Sequence, residues 1–299
     1  MAMTWSRVVM LTAALAVAAR MPAAAQENGD GERPPAAADA AAADAAAAAQ
    51  PEDDPDLDPN PAQPDFTVVN LPTALRLPRH KSAFRVTHRF ARPLGEGSLG
   101  DLLQNAFGFD SGAQIGLEYR FGLFRGTQIG VYRASDRTIQ LFAQHDVVAQ
   151  RENRPFGFAI VAAIDGTNNF RDEYTPAIGI NVSHAFGDWG AAYLVPMWVH
   201  NANLFGLDPA EDNSTLVTAV GARWRILRTV YLVGEFAPRV AGYAPRAHQA
   251  SFGIEKRAGG HSFQLNFNNG FGTTWGPIAR GGPGRDDWYI GFNISRKFF

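Results

Sequence analysis

Residues 114–121 read Gln114-Ile115-Gly116-Leu117-Glu118-Tyr119-Arg120-Phe121. Ile115, Leu117, Tyr119 and Phe121 fall on one side of an extended chain; Gln114, Gly116, Glu118 and Arg120 fall on the other. Successive strand side chains point to opposite faces, so this is a strand with one apolar and one polar face. The pattern recurs. Phe263, Leu265 and Phe267 alternate with Ser262, Gln264, Asn266 and Asn268. Trp288, Ile290, Phe292 and Ile294 alternate with Tyr289, Gly291, Asn293 and Ser295.

Alternation also describes a soluble sandwich, so other features have to separate the two. The polar faces carry glycine, amides, serine and charge, as a lumen does. The segments run to about 9–12 residues, the span of a tilted membrane strand. The chain holds 21 Phe, 7 Tyr and 6 Trp. Many lie near segment ends, where aromatic girdles sit: Phe90, Tyr119, Trp189, Trp198, Trp224, Trp275 and Trp288. The expected fold is all-β, a transmembrane antiparallel up-and-down β-barrel of about 12 strands, with 10 or 14 also compatible. The segments are 82–91, 112–121, 127–134, 137–149, 156–165, 175–186, 189–200, 214–225, 229–238, 247–257, 261–270 and 286–299. Connections alternate between long and tight, apart from the short Ser135-Asp136, and tight turns mark the periplasmic side. The chain ends on Phe298-Phe299, and Phe298 is in phase with the apolar face of the last segment. Such an end is what barrel-assembly machinery reads.

Outward from the barrel, Arg7, the apolar run Val8 to Ala19 and Ala23-Ala24-Ala25 form a secretory signal peptide, assigned to 1–25. Residues 26–65 form a low-complexity Ala/Pro/acidic arm; 27–65 hold 11 acids against Arg33 alone. That composition has too little to bury to offset the entropy of ordering. It reads as a flexible spacer, or as a tether for a basic periplasmic partner. Residues 66–299 are the barrel domain, with 24 basic and 18 acidic residues spread along it without a basic block. Nucleic acid is not an expected partner; outer-membrane lipid is, and the expected location is the outer membrane of a Gram-negative-type bacterium. The absence of cysteine excludes disulfides, thiolate metal sites and covalent haem attachment.

Leu77-Pro78-Arg79, His88-Arg89-Phe90, Phe107-Gly108-Phe109-Asp110, Leu117-Glu118-Tyr119 and Ile129-Gly130-Val131-Tyr132-Arg133 resemble a family of bacterial single-chain outer-membrane β-barrels of unknown function. The resemblance covers roughly 77–150. It implies a barrel and brings no catalytic or binding residue with it.

By phase, Arg85, Arg89, Glu118, Arg120, Asp146, Arg223, Arg225, Glu235, Glu255 and Lys297 face inward, because Arg at the lipid midplane costs about 2–4 kcal/mol. Two readings follow: a charge-lined channel for small polar or charged solutes, or a self-neutralising ladder filling a closed barrel. The first is the expected function. The alternative is a closed structural or surface-interaction barrel coupled to a periplasmic or extracellular partner without transport, with polar loop residues Asn168, Asn169, Asp208, Asp212, Trp275 and Arg285 as a contact surface. Ser98 with Asp101 forms a capping box for a short helix over 98–109. Phe66 to Leu77 reads either as a plug or as a lead-in to the first strand.

No enzyme is expected. Ser183 and His184 are adjacent and face opposite sides of the wall, so they cannot act as nucleophile and base. No HExxH or other ligand spacing occurs among the histidines, so neither metal nor cofactor is expected. Asp165-Gly166 and Gly259-Gly260 read as turns.

Overall fold

In a computed structural model, residues 60–104, 112–203, 213–284 and 286–299 are described. The signal peptide, the tract up to Pro59, the far part of the helix expected over 98–109, and Asp208, Asp212 and Arg285 lie outside them. Thirteen strands form one antiparallel sheet: β1 Ser82–Phe90, β2 Ala113–Phe124, β3 Thr127–Ala134, β4 Ile139–Val148, β5 Gly157–Gly166, β6 Tyr174–Ala185, β7 Gly190–His200, β8 Ser214–Leu227, β9 Val230–Ala237, β10 Arg239–Gly242, β11 Gln249–Ala258, β12 His261–Asn268 and β13 Tyr289–Phe298. β1 pairs with β13 through Ser82↔Phe298 to Arg89↔Gly291, and β8 pairs with β9, so twelve strands close into a ring without edges. Closure is what a membrane requires, since no water is there to satisfy an open edge.

β10 stands outside the twelve. Pro238 has no N–H for the ladder. It ends β9, and the chain resumes pairing with β8 from Arg239, with a register shift before Ala241. The strand expected over 229–238 therefore continues as a short thirteenth piece.

The two faces of each strand part as their residue types dictate. In β2, Ile115, Leu117 and Tyr119 are exposed while Glu118 and Arg120 are buried. The same contrast runs through β11, where Phe252 and Ile254 point out and Ser251 and Glu255 point in. A continuous outward belt of Leu, Ile, Val and Phe on that scale belongs in lipid. At the rim with tight turns, Phe156, His184, Phe186, Trp189 and Trp224 form a chain of touching rings. At the opposite rim His88, Phe90 and Phe292 cluster.

One wall departs from the expected polar lumen. β7 turns Ala191, Tyr193, Val195, Met197 and Val199 inward, and β8 turns Val217 and Ala219 inward, all buried. Apolar residues on both faces of a strand mean that something covers each face. Inside, that something is protein.

Ser98 and Asp101 do cap a helix. The Ser98 backbone N–H donates to Asp101 Oδ2 at 2.7 Å and Asp101 N–H to Ser98 Oγ at 3.3 Å. These bonds hold the Asp101 carboxyl below the ordinary carboxylate range. The helix, α1 (Leu99–Gln104), is exposed at Gly100, Asp101, Leu103 and Gln104. A second helix, α2 (Trp275–Arg280), was not expected. Trp275, assigned above to a girdle and to a contact loop, is instead buried inside the barrel with Ile278 and Ala279. Its ring packs on the apolar wall of β5–β8, which offers more apolar surface than the solvated loop.

Candidate functional site

The lumen is filled from both ends. From the tight-turn side, residues 60–79 enter and fold back as a hairpin. Phe66 and Thr73 are joined by Thr73 N–H to Phe66 C=O at 2.9 Å, and Val68 and Leu71 by Val68 N–H to Leu71 C=O at 2.8 Å. The tip is Val69-Asn70. Ala62, Gln63 and Asp65, which composition groups with the acidic arm, already pack here, and Asp65 accepts from Ser295 Oγ at 2.7 Å. The plug alternative for Phe66 to Leu77 is the one observed. Gly122 makes room at the exit, where a Cβ would stand 2.2 Å from the Pro78 carbonyl oxygen.

The wall holds this hairpin by its backbone. Gln264 Nε2 donates to the Val68 carbonyl at 2.7 Å, Asn293 Nδ2 to Val69 at 2.9 Å, and Asn181 Nδ2 to Pro72 at 2.9 Å. Gln144 reaches the Thr73 carbonyl at 3.0 Å and Arg223 the Thr67 carbonyl at 2.8 Å. Glu235 gathers the tip. Its Oε2 accepts the N–H groups of Val69, Asn70 and Leu71 at 3.1, 2.9 and 3.0 Å, and its Oε1 accepts Asn70 Nδ2 at 2.7 Å. Three successive backbone N–H groups around one anion make a nest. The Asn70 amide then bridges opposite charges, since its Oδ1 accepts from Arg89 at 3.0 Å. Apolar contact adds to this: Val68, Val69 and Leu71 are fully buried against the β7–β9 wall, worth roughly 1.5–3 kcal/mol each.

From the long-loop side α2 caps the space. Asp165 is not turn chemistry; it ends β5 facing inward, where it accepts from Thr274 Oγ1 at 2.7 Å, Gly276 N–H at 2.8 Å and Gln140 Nε2 at 2.6 Å. Glycine at 276 lets the backbone come this close: a Cβ would lie 2.9 Å from Asp165 Oδ2 and would push the carboxylate away. Arg239 holds the far end of α2 through the Arg280 carbonyl at 2.8 Å. Between hairpin and helix a residual cavity of about 30 Å³ remains, lined by Thr67, Asn70, Trp275 and Ile278 among others. That is a space of roughly one water. Asp165→Ala should leave the Thr274 hydroxyl and the Gly276 N–H without their acceptor, at about 1–3 kcal/mol. A red-shifted, more acrylamide-quenchable Trp275 emission is the expected readout, and an unchanged spectrum would show that the apolar face of α2 holds it alone.

The ten charges expected inside have distinct places. Glu118 accepts from Arg85 at 2.5 Å and Arg120 at 2.6 Å, and all three are buried. Arg223 and Glu255 pair at 2.7 Å with no exposure. Arg89 and Glu235 meet through Asn70. Asp146 pairs with Arg76 of the plug at 2.8 Å. Lys297 lies over the Phe66 ring at 5.5 Å, near the tight-turn rim. Arg225 differs: its side chain donates to the Arg228 and Asp188 carbonyls in the turns, half-exposed at the rim, because the strand runs out two residues later. The charges thus neutralise one another or bind the plug, and the open passage expected between them is occupied. Missed altogether were the neutral partners Gln264, Asn293, Asn181 and Gln144. They stand in the polar phase of their strands, and that phase was the available signal. Ser183 and His184 do face apart: Ser183 is buried within, and His184 Nδ1 lies 2.5 Å from the Pro155 carbonyl outside the wall. Among the described residues no group of three or more His, Asp or Glu side chains is placed to hold a metal ion.

Fold and lumen together define a closed transmembrane β-barrel occupied by its own chain. A sequence profile of the membrane-bound β-barrel domain family DUF5777 matches residues 65–298, and the chain belongs to that family. No curated protein sequence matches it. Solved structures that resemble it include a KdgM porin, 8% identical with a TM-score of 0.46 over 73% of this chain and 99% of that one. A KdgM porin in complex with disordered oligogalacturonate gives 7%, 0.46 and the same coverage. A mutant of Rh. blastica porin gives 11% and 0.33 over 62% of this chain and 55% of the other. Likenesses at these levels carry no information about individual residues or about solutes.

Proposed function

We propose that this protein is an outer-membrane channel for small polar or charged solutes, exported by its signal peptide and held shut at rest by residues 60–79. What supports this reading is how the hairpin is held: amide and charged side chains of the wall grip its backbone. Water can replace those bonds on the polar half of the lumen when the hairpin leaves, whereas a permanently filled barrel needs no such hydratable wall. The apolar contacts of Val68, Val69 and Leu71 make spontaneous opening rare. The reading therefore requires withdrawal from the periplasmic side, through the acidic tract that precedes Asn60, by a partner acting there. The rival reading, a closed structural or surface barrel, draws on the apolar inner face of β7 and β8, which an open lumen would wet.

Planar-bilayer recording separates the two. The full chain should give no discrete current, and a chain with 60–79 deleted should give stepwise conductance. A deletion variant that shows the heat-dependent gel shift of a folded barrel and yet stays silent would leave the closed structural barrel standing.

A further inference from the structure

The positive charge of the barrel domain, spread evenly along the sequence, is gathered by the fold onto one rim. On the tight-turn side, stretches 79–81, 124–127, 149–156, 186–189, 225–229, 256–261 and 296–299 carry eleven Lys or Arg against two acids, Glu152 and Asp188. The long-loop connections, over their described residues, carry five against seven. Among the described residues, Arg125, Arg228, Lys256 and Arg296 have no carboxylate within 4 Å and are exposed.

Each cation also sits beside an exposed apolar side chain. Phe124 is 60% exposed next to Arg125, and Leu227 65% exposed next to Arg228. Arg296 lies over the Phe298 ring at 5.3 Å, itself turned outward. Lys256 projects from the outward face of β11, opposite Phe263 of β12. A protein dock has no need of an exposed apolar neighbour for each of these four cations on separate hairpins. A bilayer does: the apolar residue enters the acyl region and the long basic side chain reaches the headgroups just above it.

We propose that the tight-turn rim is a binding surface for the phosphate headgroups of anionic phospholipid in the facing leaflet. The cations attract it within a Debye length, and the ring of apolar residues fixes the depth at which they meet it. The arrangement is independent of whether the lumen ever opens.

Spin-label resonance on the full chain, reconstituted in phosphatidylcholine vesicles, reads the preference directly. Trace spin-labelled phosphatidylglycerol should be favoured over spin-labelled phosphatidylcholine in the protein-contacting lipid by about fivefold at low salt. The preference should fall toward unity in about 1 M salt, where the Debye length is about 3 Å. It should fall likewise in the combined variant R125Q, R228Q, K256Q, R296Q, with folding checked by the heat-dependent gel shift; if that variant does not fold, the salt titration on the unmodified chain decides. Equal association of the two lipids at low salt overturns the proposal. So does saturable binding of soluble poly-glutamate with no lipid preference, which would make the rim a dock for acidic protein.

Discussion

Glu118→Ala is expected to destabilise the barrel by about 3–5 kcal/mol, the cost of stripping a buried ion pair of one partner. Glu118 is the only carboxylate that Arg85 and Arg120 pair with among the described residues, at 2.5 and 2.6 Å. Removing it leaves two guanidinium groups confined beside each other. Arg85 keeps its bonds to Thr67 Oγ1 at 2.7 Å and to the Val69 carbonyl at 3.2 Å, and Arg120 keeps the Phe142 ring at 4.6 Å, but none of these carries a compensating negative charge. Denaturant unfolding followed by the gel shift of the folded barrel gives the number. A loss below about 1 kcal/mol, the range of a solvent-screened pair, would mean that water reaches the triad and that the lumen is not as full as described. The set of paired charges inside the barrel is in this respect a stability feature first. Selectivity could arise from it only after the hairpin has gone.

Much of the architecture is legible in the sequence because its cause is local. Leu117 and Glu118 are neighbours, and a strand must send one outward and the other inward whatever the rest of the chain does. The twelve segments expected from alternation each correspond to a strand, within about four residues at either end, and the Gly259-Gly260 turn is where glycine at a φ of 58° is needed. The lumen is another matter. Leu71 and Glu235 are 164 residues apart, and Gly276 and Asp165 111 apart. The local pattern of Phe66 to Leu77 leaves plug and lead-in open, and it does not say which wall residues a plug would meet. The apolar interior face of β7 was the readable clue, since Val195 and Met197 on a supposedly wet face ask for a cover. Likewise a count of charge along the chain could not show that hairpin geometry returns Arg125, Arg228 and Arg296 to the same rim. Order in space there follows from the up-and-down topology, which brings every second connection to one side.

On the proposed channel reading, the hairpin tip is released at Glu235. Glu235→Ala removes the acceptor of three backbone N–H groups and of the Asn70 amide at once. Hydrogen bonds to a charged group contribute roughly 1.5–3 kcal/mol each, and bonds sharing one carboxylate are not additive, so the net loss is taken as that of one to two such bonds. A loss of even 1.5–3 kcal/mol raises the population of the withdrawn hairpin about 10- to 100-fold. Arg89 loses its bridged counter-charge as well, which moves the balance the same way. Because the chain has no cysteine, a single Leu71→Cys reports opening without background: Leu71 is 1% exposed at rest. A membrane-impermeant maleimide should label it in the Glu235→Ala background about 10- to 100-fold faster than in the unmodified one. Opening events in bilayer recordings should rise in parallel. Equal labelling rates would show that the hairpin is held without Glu235, through the apolar contacts of residues such as Val68 and Val69. Faster labelling without current would show that the hairpin moves while α2 keeps the passage closed, and would shift the gate to the Asp165–Gly276 contact on the other side.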